Sequence, residues 1–212
     1  MTRTTLTAAL LVLAATFASG CSHSMIVSRP ADKQLDAAYT AQFEDDLEAT
    51  AQDGDMILRR GYAVLSDIIT VVTPGVDMSH AGIYDAQTKT VIEAVNGGVK
   101  ETNLHDYVSG AHRVMIVRPS DLRWTERRAA VEKARSVIGT PFDYAGFLGL
   151  EDPDRFYCSE LVVWAIDARG RGLEVSRLVA PAALLDYGDT IYDSGDRGVA
   201  PLTATRVASA RD

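Results

Sequence analysis

Cysteine and histidine are scarce in this sequence. Its 212 residues include two cysteines, Cys21 and Cys158, and four histidines. Two cysteines allow at most one bridge, so a disulfide-stapled scaffold is excluded. No His, Cys, Asp or Glu grouping has the spacing of metal ligands, so neither a metal centre nor any other cofactor is expected. Basic residues are outnumbered, with 21 Lys and Arg against 29 Asp and Glu and a net charge of -8. Binding a phosphate backbone needs clustered Lys and Arg, and the sequence has no basic stripe; nucleic acid is not expected as the main partner. Internal repeats and low-complexity segments are also lacking. What remains is 47% apolar and 24% charged, which suits one folded domain with its own core.

The first 20 residues differ in kind from the rest. Arg3 supplies a positive start, and Leu6 to Phe17 is apolar apart from Thr7 and Thr16. Such a run is too short for a permanent membrane helix and fits the apolar region of a secretory signal. The ending Ala18-Ser19-Gly20-Cys21 resembles the lipobox of bacterial lipoproteins, departing from it at Ala18, where those proteins usually carry Leu. The resemblance implies a lipid anchor on Cys21 and a cell-envelope location, at the periplasmic face and, by Ser22, on the outer membrane. Plain secretion with cleavage nearby is the alternative. An even cysteine count in an exported chain suggests a Cys21–Cys158 disulfide; with Cys21 lipidated, Cys158 is a lone thiol in an oxidising compartment, where it is a liability unless its chemistry is used.

Beyond the signal, residues 21–34 read as a tether and 35–192 as the folded domain. Leu35 to Ala51 has an amphipathic helical pattern, and Met56 to Leu58 is a short strand after the turn Asp53-Gly54-Asp55. Tyr62 to Val72 reads as an apolar helix stopped by Pro74-Gly75. Ser79–Tyr84 and Thr90–Val95 read as a hairpin, Val99 to Glu101 as the start of another strand, and Arg113 to Val117 as a further one. Helices are expected at Leu104–Val108, Trp124–Ile138 and Ala182–Tyr187. Cys158 to Ala168 is apolar on every side, so that helix belongs in the core. A loose tail is expected from Asp193. The sum is α+β, with a mostly antiparallel sheet of about five strands.

Three residues carry the chemical argument. Cys158 stands where a loop becomes a buried helix. Unpaired N–H groups there favour a thiolate and can receive an oxyanion. An inert buried cysteine is the bland alternative. His80 shares a strand face with Gly82 and Tyr84, and Gly82 leaves space beside it. His23 lies in the tether, while His105 and His112 sit in polar surroundings that suggest surface roles. Glu93 is the acid inside the apolar run Val91–Val95, costly there unless paired. If residues 80 and 93 oppose each other in the hairpin they can meet; a one-residue slip would part them.

Gly54-Asp55-Met56-Ile57-Leu58-Arg59, Ser79-His80-Ala81-Gly82-Ile83-Tyr84, Val91-Ile92-Glu93-Ala94 and Tyr157-Cys158-Ser159-Glu160-Leu161-Val162 occur in that order. Together they resemble the YiiX-like, circularly permuted branch of the NlpC-type cysteine peptidases and amidases, in the papain-like clan. The likeness runs from about residue 50 to 190. It implies a permuted papain-like catalytic domain with a Cys158–His80–Glu93 triad. It also implies that Gly139–Tyr144 helps shape the cleft. Hydrolysis of an amide or peptide bond in the cell envelope, through a thioester, is then the first expectation. A lipid acyl hydrolase or acyltransferase is the second, and a non-catalytic envelope binding protein the third. The expected partners are a peptide, amide or lipid-linked envelope substrate, and the membrane through the N-terminal lipid.

Overall fold

Strand alternation sets the architecture. In His80–Asp85 every second residue points the same way, and the two sets enter two separate cores. The computed structural model describes residues 27–63, 66–67, 76–146, 150 and 152–198. The signal 1–20, Cys21 and His23 lie outside the described residues, as do most of Tyr62–Val72 and residues 199–212 of the tail.

In chain order the elements are α1 (Lys33–Thr50), β1 (Met56–Gly61), β2 (His80–Asp85), β3 (Thr90–Val95), β4 (Gly98–Asn103), α2 (Leu104–Ser109), β5 (Ala111–Pro119), α3 (Trp124–Arg135), α4 (Cys158–Ala165), a 3-10 turn (Pro181–Tyr187) and β6 (Gly188–Asp193). The strands form one sheet in the order β4-β3-β2-β1-β5-β6, every neighbouring pair antiparallel. This is the expected α+β class.

Helices cover both faces. Met56, Leu58, Ala81, Ile83, Ile92 and Ala94 pack against α3 and α4. Ile57, Tyr84, Val91, Val114 and Ile116 pack against Tyr39, Phe43 and Leu47 of α1 and against α2. Helix α4 buries Leu161, Val162, Val163 and Ala165, as its all-round apolarity requires. Burying each large aliphatic side chain contributes about 1.5–3 kcal/mol, which seats this helix firmly under β2 and β3.

Several boundaries differ from the sequence reading. A sixth strand, β6, exists. Gly188-Asp189-Thr190-Ile191-Tyr192-Asp193 has too weak an alternation to announce itself, and pairing with β5 makes it a strand. A Cβ at Gly188 would lie 2.7 Å from the Arg118 carbonyl carbon, so only glycine lets the two strands approach. The tail does not loosen at Asp193. Arg197 is 2% exposed and donates to Asp36 Oδ1 at 2.7 Å, Thr40 Oγ1 at 3.0 Å and the Val108 carbonyl at 3.0 Å. It thereby ties the returning chain to α1 and α2. The tether is also shorter than expected: Asp32 caps α1 by accepting from the Gln34 N–H at 2.8 Å, and Arg29 pairs with Asp36 at 2.7 Å. Helices α3 and α4 end at Arg135 and Ala165, three residues before the expected ends at Ile138 and Ala168.

Candidate active site

The chain reaches Cys158 through an anchored loop. Val99 N–H donates to the Thr140 carbonyl and Gly139 N–H to the Val99 carbonyl, both at 2.8 Å, which lays Gly139–Tyr144 beside the start of β4. Phe142 then bridges to Phe156, and Asp143 N–H donates to the Phe156 carbonyl at 3.0 Å. Tyr157 is extended, and the Glu160 carboxylate accepts from its N–H at 3.3 Å, so the first helical residue of α4 is Cys158. Ser159 Oγ donates to the Val179 carbonyl at 2.6 Å, and Val179 N–H donates to the Tyr157 hydroxyl at 2.9 Å. These bonds clamp the helix mouth to the chain that follows the helix.

His80 is the first residue of β2. Helix α4 lies under the Ala81–Ile83 face, while His80 belongs to the Gly82–Tyr84 face. The strand end is where groups from the two sides can meet. Imidazole Nε2 donates to Glu93 Oε2 at 2.5 Å. The Cys158 thiol lies close enough to the ring for each group to influence the ionisation of the other. Of the three residues singled out from the sequence, His80 and Glu93 are hydrogen bonded, and Cys158 lines one cleft with His80.

The register that achieves this is not the expected one. Glu93 sits opposite Gly82, not opposite His80. An offset of two residues keeps His80 and Glu93 on one face and makes them diagonal neighbours. Glycine at 82 is required by this arrangement. A Cβ there would stand 2.8 Å from the Ile92 carbonyl oxygen and 3.3 Å from Glu93 Cβ, and would collide with Val91.

Glu93 is almost wholly satisfied. Its other oxygen accepts from Thr102 Oγ1 at 2.5 Å, and Arg59 Nη2 lies 3.7 Å from Oε2. Burial alone would raise its pKa. The hydrogen bond and charge of His80, then Arg59 and Thr102, overcome this and hold it down at about 2. The same contest is settled at the other two groups. Burial opposes charge on Cys158, but the His80 hydrogen bond and positive charge outweigh it, with help from the Ala81 N–H and Ser159, and the thiol pKa is lowered. Burial opposes charge on His80 too, but bonds to Cys158 and Glu93 prevail over it and over Arg59, and its pKa is raised. Both shifts move the site toward a thiolate–imidazolium pair backed by a carboxylate.

The pair is accessible. Cys158 and His80 both line a cleft of about 470 Å³, together with Arg59, Tyr62, Ala94, Val95, Asn96 and Phe142 among others. Phe142 lines this cleft, in keeping with the role expected of Gly139–Tyr144. Two other histidines stay away from it: His105 is exposed beside Glu44, with Nδ1 2.8 Å from its carboxylate. His112 is not the surface group its polar neighbours suggested. It is 9% exposed, because the chain after β6 folds back over it. Arg59, Thr102 and Tyr107 were not singled out from the sequence. Arg59 lies two residues beyond Ile57 on the strand face that His80 joins, a relation visible only once β1 and β2 are in register.

Cys158 and His80 thus line one cleft, with Glu93 bonded to His80. Residues 50–179 match the family model described as "Permuted papain-like amidase enzyme, YaeF/YiiX, C92 family". No curated protein matches the sequence. A solved structure titled "Crystal structure of metalloprotein yiiX from Escherichia coli O157:H7, DUF1105" is 25% identical with a TM-score of 0.50, the alignment covering 75% of this chain and 97% of that one. That title describes its own protein as a metalloprotein. Among the described residues here, no group of three or more His, Cys, Asp or Glu side chains is placed to hold a metal ion. The family match spans more than half of the sequence and includes the Cys158 helix, the His80 strand and the Glu93 strand, so this chain belongs to the permuted papain-like amidases and is a cysteine hydrolase of the amidase kind.

Proposed function

We propose that this protein cleaves an amide or peptide bond of a cell-envelope substrate through a thioester on Cys158, with His80 as proton carrier and Glu93 as its orienting partner. The observation that carries the proposal is the Glu93–His80 hydrogen bond in a cleft that His80 shares with a cysteine at a helix mouth. The Cys158 thiolate attacks the substrate carbonyl carbon, and a C–S bond forms. The resulting oxyanion lies within reach of the Cys158 N–H at the α4 N-terminus. His80 gives its proton to the amide nitrogen, the C–N bond breaks and the amine departs. Water then attacks the thioester while His80 takes its proton. The acid leaves and the thiolate–imidazolium pair returns.

Export is the setting that fits. The sequence before residue 27 has the signal pattern, and lipidation of Cys21 would hold the domain at the periplasmic face of the envelope. A second reading, acyl hydrolysis or transfer on a lipid, is favoured by the apolar part of the cleft, Ala63, Ala94, Val95 and Phe142, and by exposed Tyr144 and Leu150 on the loop leading to α4.

The experiment is a substrate panel of cell-wall peptides, simple N-acyl amides and acyl lipids, with wild type and Cys158→Ala. Turnover of amides by wild type alone, and a hydroxylamine-labile acyl mass on the peptide bearing Cys158, are the expected results. Equal turnover by Cys158→Ala, or an adduct elsewhere, refutes the mechanism. Preference for acyl lipids selects the second reading.

A further inference from the structure

We infer that Arg59 is a fourth member of this site, a positioning residue whose guanidinium steers the proton carried by His80 toward the leaving group and away from Glu93. The inference rests on the triad proposed above. Arg59 faces His80 directly across the β1–β2 ladder. Its Nη2 lies 3.7 Å from Glu93 Oε2, the oxygen that also receives the His80 Nε2 proton. Its Nη1 donates to the Tyr107 carbonyl at 2.8 Å, and its Cζ stands 4.6 Å from the Tyr107 ring centroid. Tyr107 is fully buried, and its hydroxyl donates to the Ile57 carbonyl at 2.8 Å, so the platform under the guanidinium is rigid. A Cβ at Gly110 would lie 3.0 Å from Nη1, so the space for that group is just sufficient.

A cation at this position has a physical use. The His80–Glu93 contact is short and buried. In such a pair the proton can settle on the carboxylate, since two neutral partners avoid the cost of buried charge. His80 would then be a neutral imidazole, whose remaining N–H is too weak an acid to protonate the departing nitrogen once the thiolate has attacked. A fixed positive charge within 4 Å makes Glu93 the poorer base. The same charge faces the imidazolium and makes it the stronger acid. Both effects send the proton toward the departing nitrogen.

The imidazole faces Cys158 from α4, Glu93 from β3, Arg59 from β1 and Tyr107 from α2. Burial keeps the Tyr107 phenol neutral. Glu93 also sees Thr102 and, at 4.0 Å, Lys100 of β4, whose side chain is 55% exposed and therefore screened. Among these described residues, Arg59 is the fixed cation that remains.

An amide separates this role from simple support. Its nitrogen must gain a proton to leave, whereas p-nitrophenolate leaves as an anion. The experiment compares an anilide and a p-nitrophenyl ester of one acyl group across pH, with wild type, Arg59→Gln and Arg59→Lys. His80 is titrated by NMR in a Cys158→Ala background with and without Arg59→Gln. Arg59→Gln is expected to lower anilide kcat about tenfold or more and ester kcat less than about threefold. It should raise the His80 titration midpoint, and Arg59→Lys should recover part of the anilide rate. The ratio of the two rates is internal to each variant, so it reads the proton step even where Arg59→Gln lowers Tm. Equal loss on both substrates, or an unmoved His80 midpoint, overturns the inference. Failure of the triad itself shows differently, as turnover surviving Cys158→Ala.

Discussion

Glu93→Gln tests the electrostatic core of this site through stability, independently of any substrate. The carboxylate is 3% exposed at its side chain, bonded to His80 and Thr102, and held at a pKa of about 2 against a reference of 4.5. At roughly 1.4 kcal/mol per pH unit, a depression of this size corresponds to about 3 kcal/mol of folding stability. The sign follows from the direction of the shift. A group whose pKa is lower in the folded state binds fewer protons there, so its contribution is complete above the unfolded value. It is lost as pH falls from about 4.5 toward 2. Other depressed carboxyls, among them Asp36, Asp85 and Asp193, add to the acid sensitivity of both proteins and cancel in a comparison. The assay is urea unfolding of wild type and Glu93→Gln at a series of pH values from 6 to 2. Wild type should lose about 3 kcal/mol more than the variant over that range. Superimposable pH dependences would mean that the buried carboxylate is not held by His80, Arg59 and Thr102 as described.

Other outcomes follow from the same contacts. Gly82→Ala places a methyl 2.8 Å from the Ile92 carbonyl. It should cost about 1–3 kcal/mol in urea unfolding and lower kcat by pushing His80 and Glu93 apart, whereas an unchanged midpoint would show that β2 and β3 separate freely. Alkylation of Cys158 by iodoacetamide should reach its plateau at a lower pH than for an ordinary thiol. In His80→Ala it should slow and rise about tenfold per pH unit, as for an ordinary thiol. An identical profile in the two proteins would contradict the lowered thiol pKa. Leu161→Ala in the fully buried part of α4 should cost about 2–5 kcal/mol by calorimetry, and a loss under 1 kcal/mol would argue against a tightly packed helix.

Much of this protein is written in local sequence. Cys158–Ala165 is apolar on every side, and a helix of that kind has nowhere to go but the core. The alternation in Ser79–Tyr84 and Val91–Val95 was enough to place β2 and β3 and to set His80 and Glu93 as residues worth joining. These signals survive because each depends on the period of a single element. Tertiary structure decided the rest. The pairing of Glu93 with Gly82 instead of His80 depends on how two strands slide, and a shift of two residues leaves every hydrophobic residue on its own face. Strand β6 and the burial of Arg197 exist only because β5 and α1 offer partners that lie far away in the chain. Arg59 could be recognised only when β1 lay beside β2, since its charge matters through distances to Glu93 and His80 that no spacing along the chain encodes. The sequence by itself determined which groups could react; packing decided how closely they meet, and with it how strongly they hold their protons, because electrostatic interaction in a buried site depends on separation and on the exclusion of water.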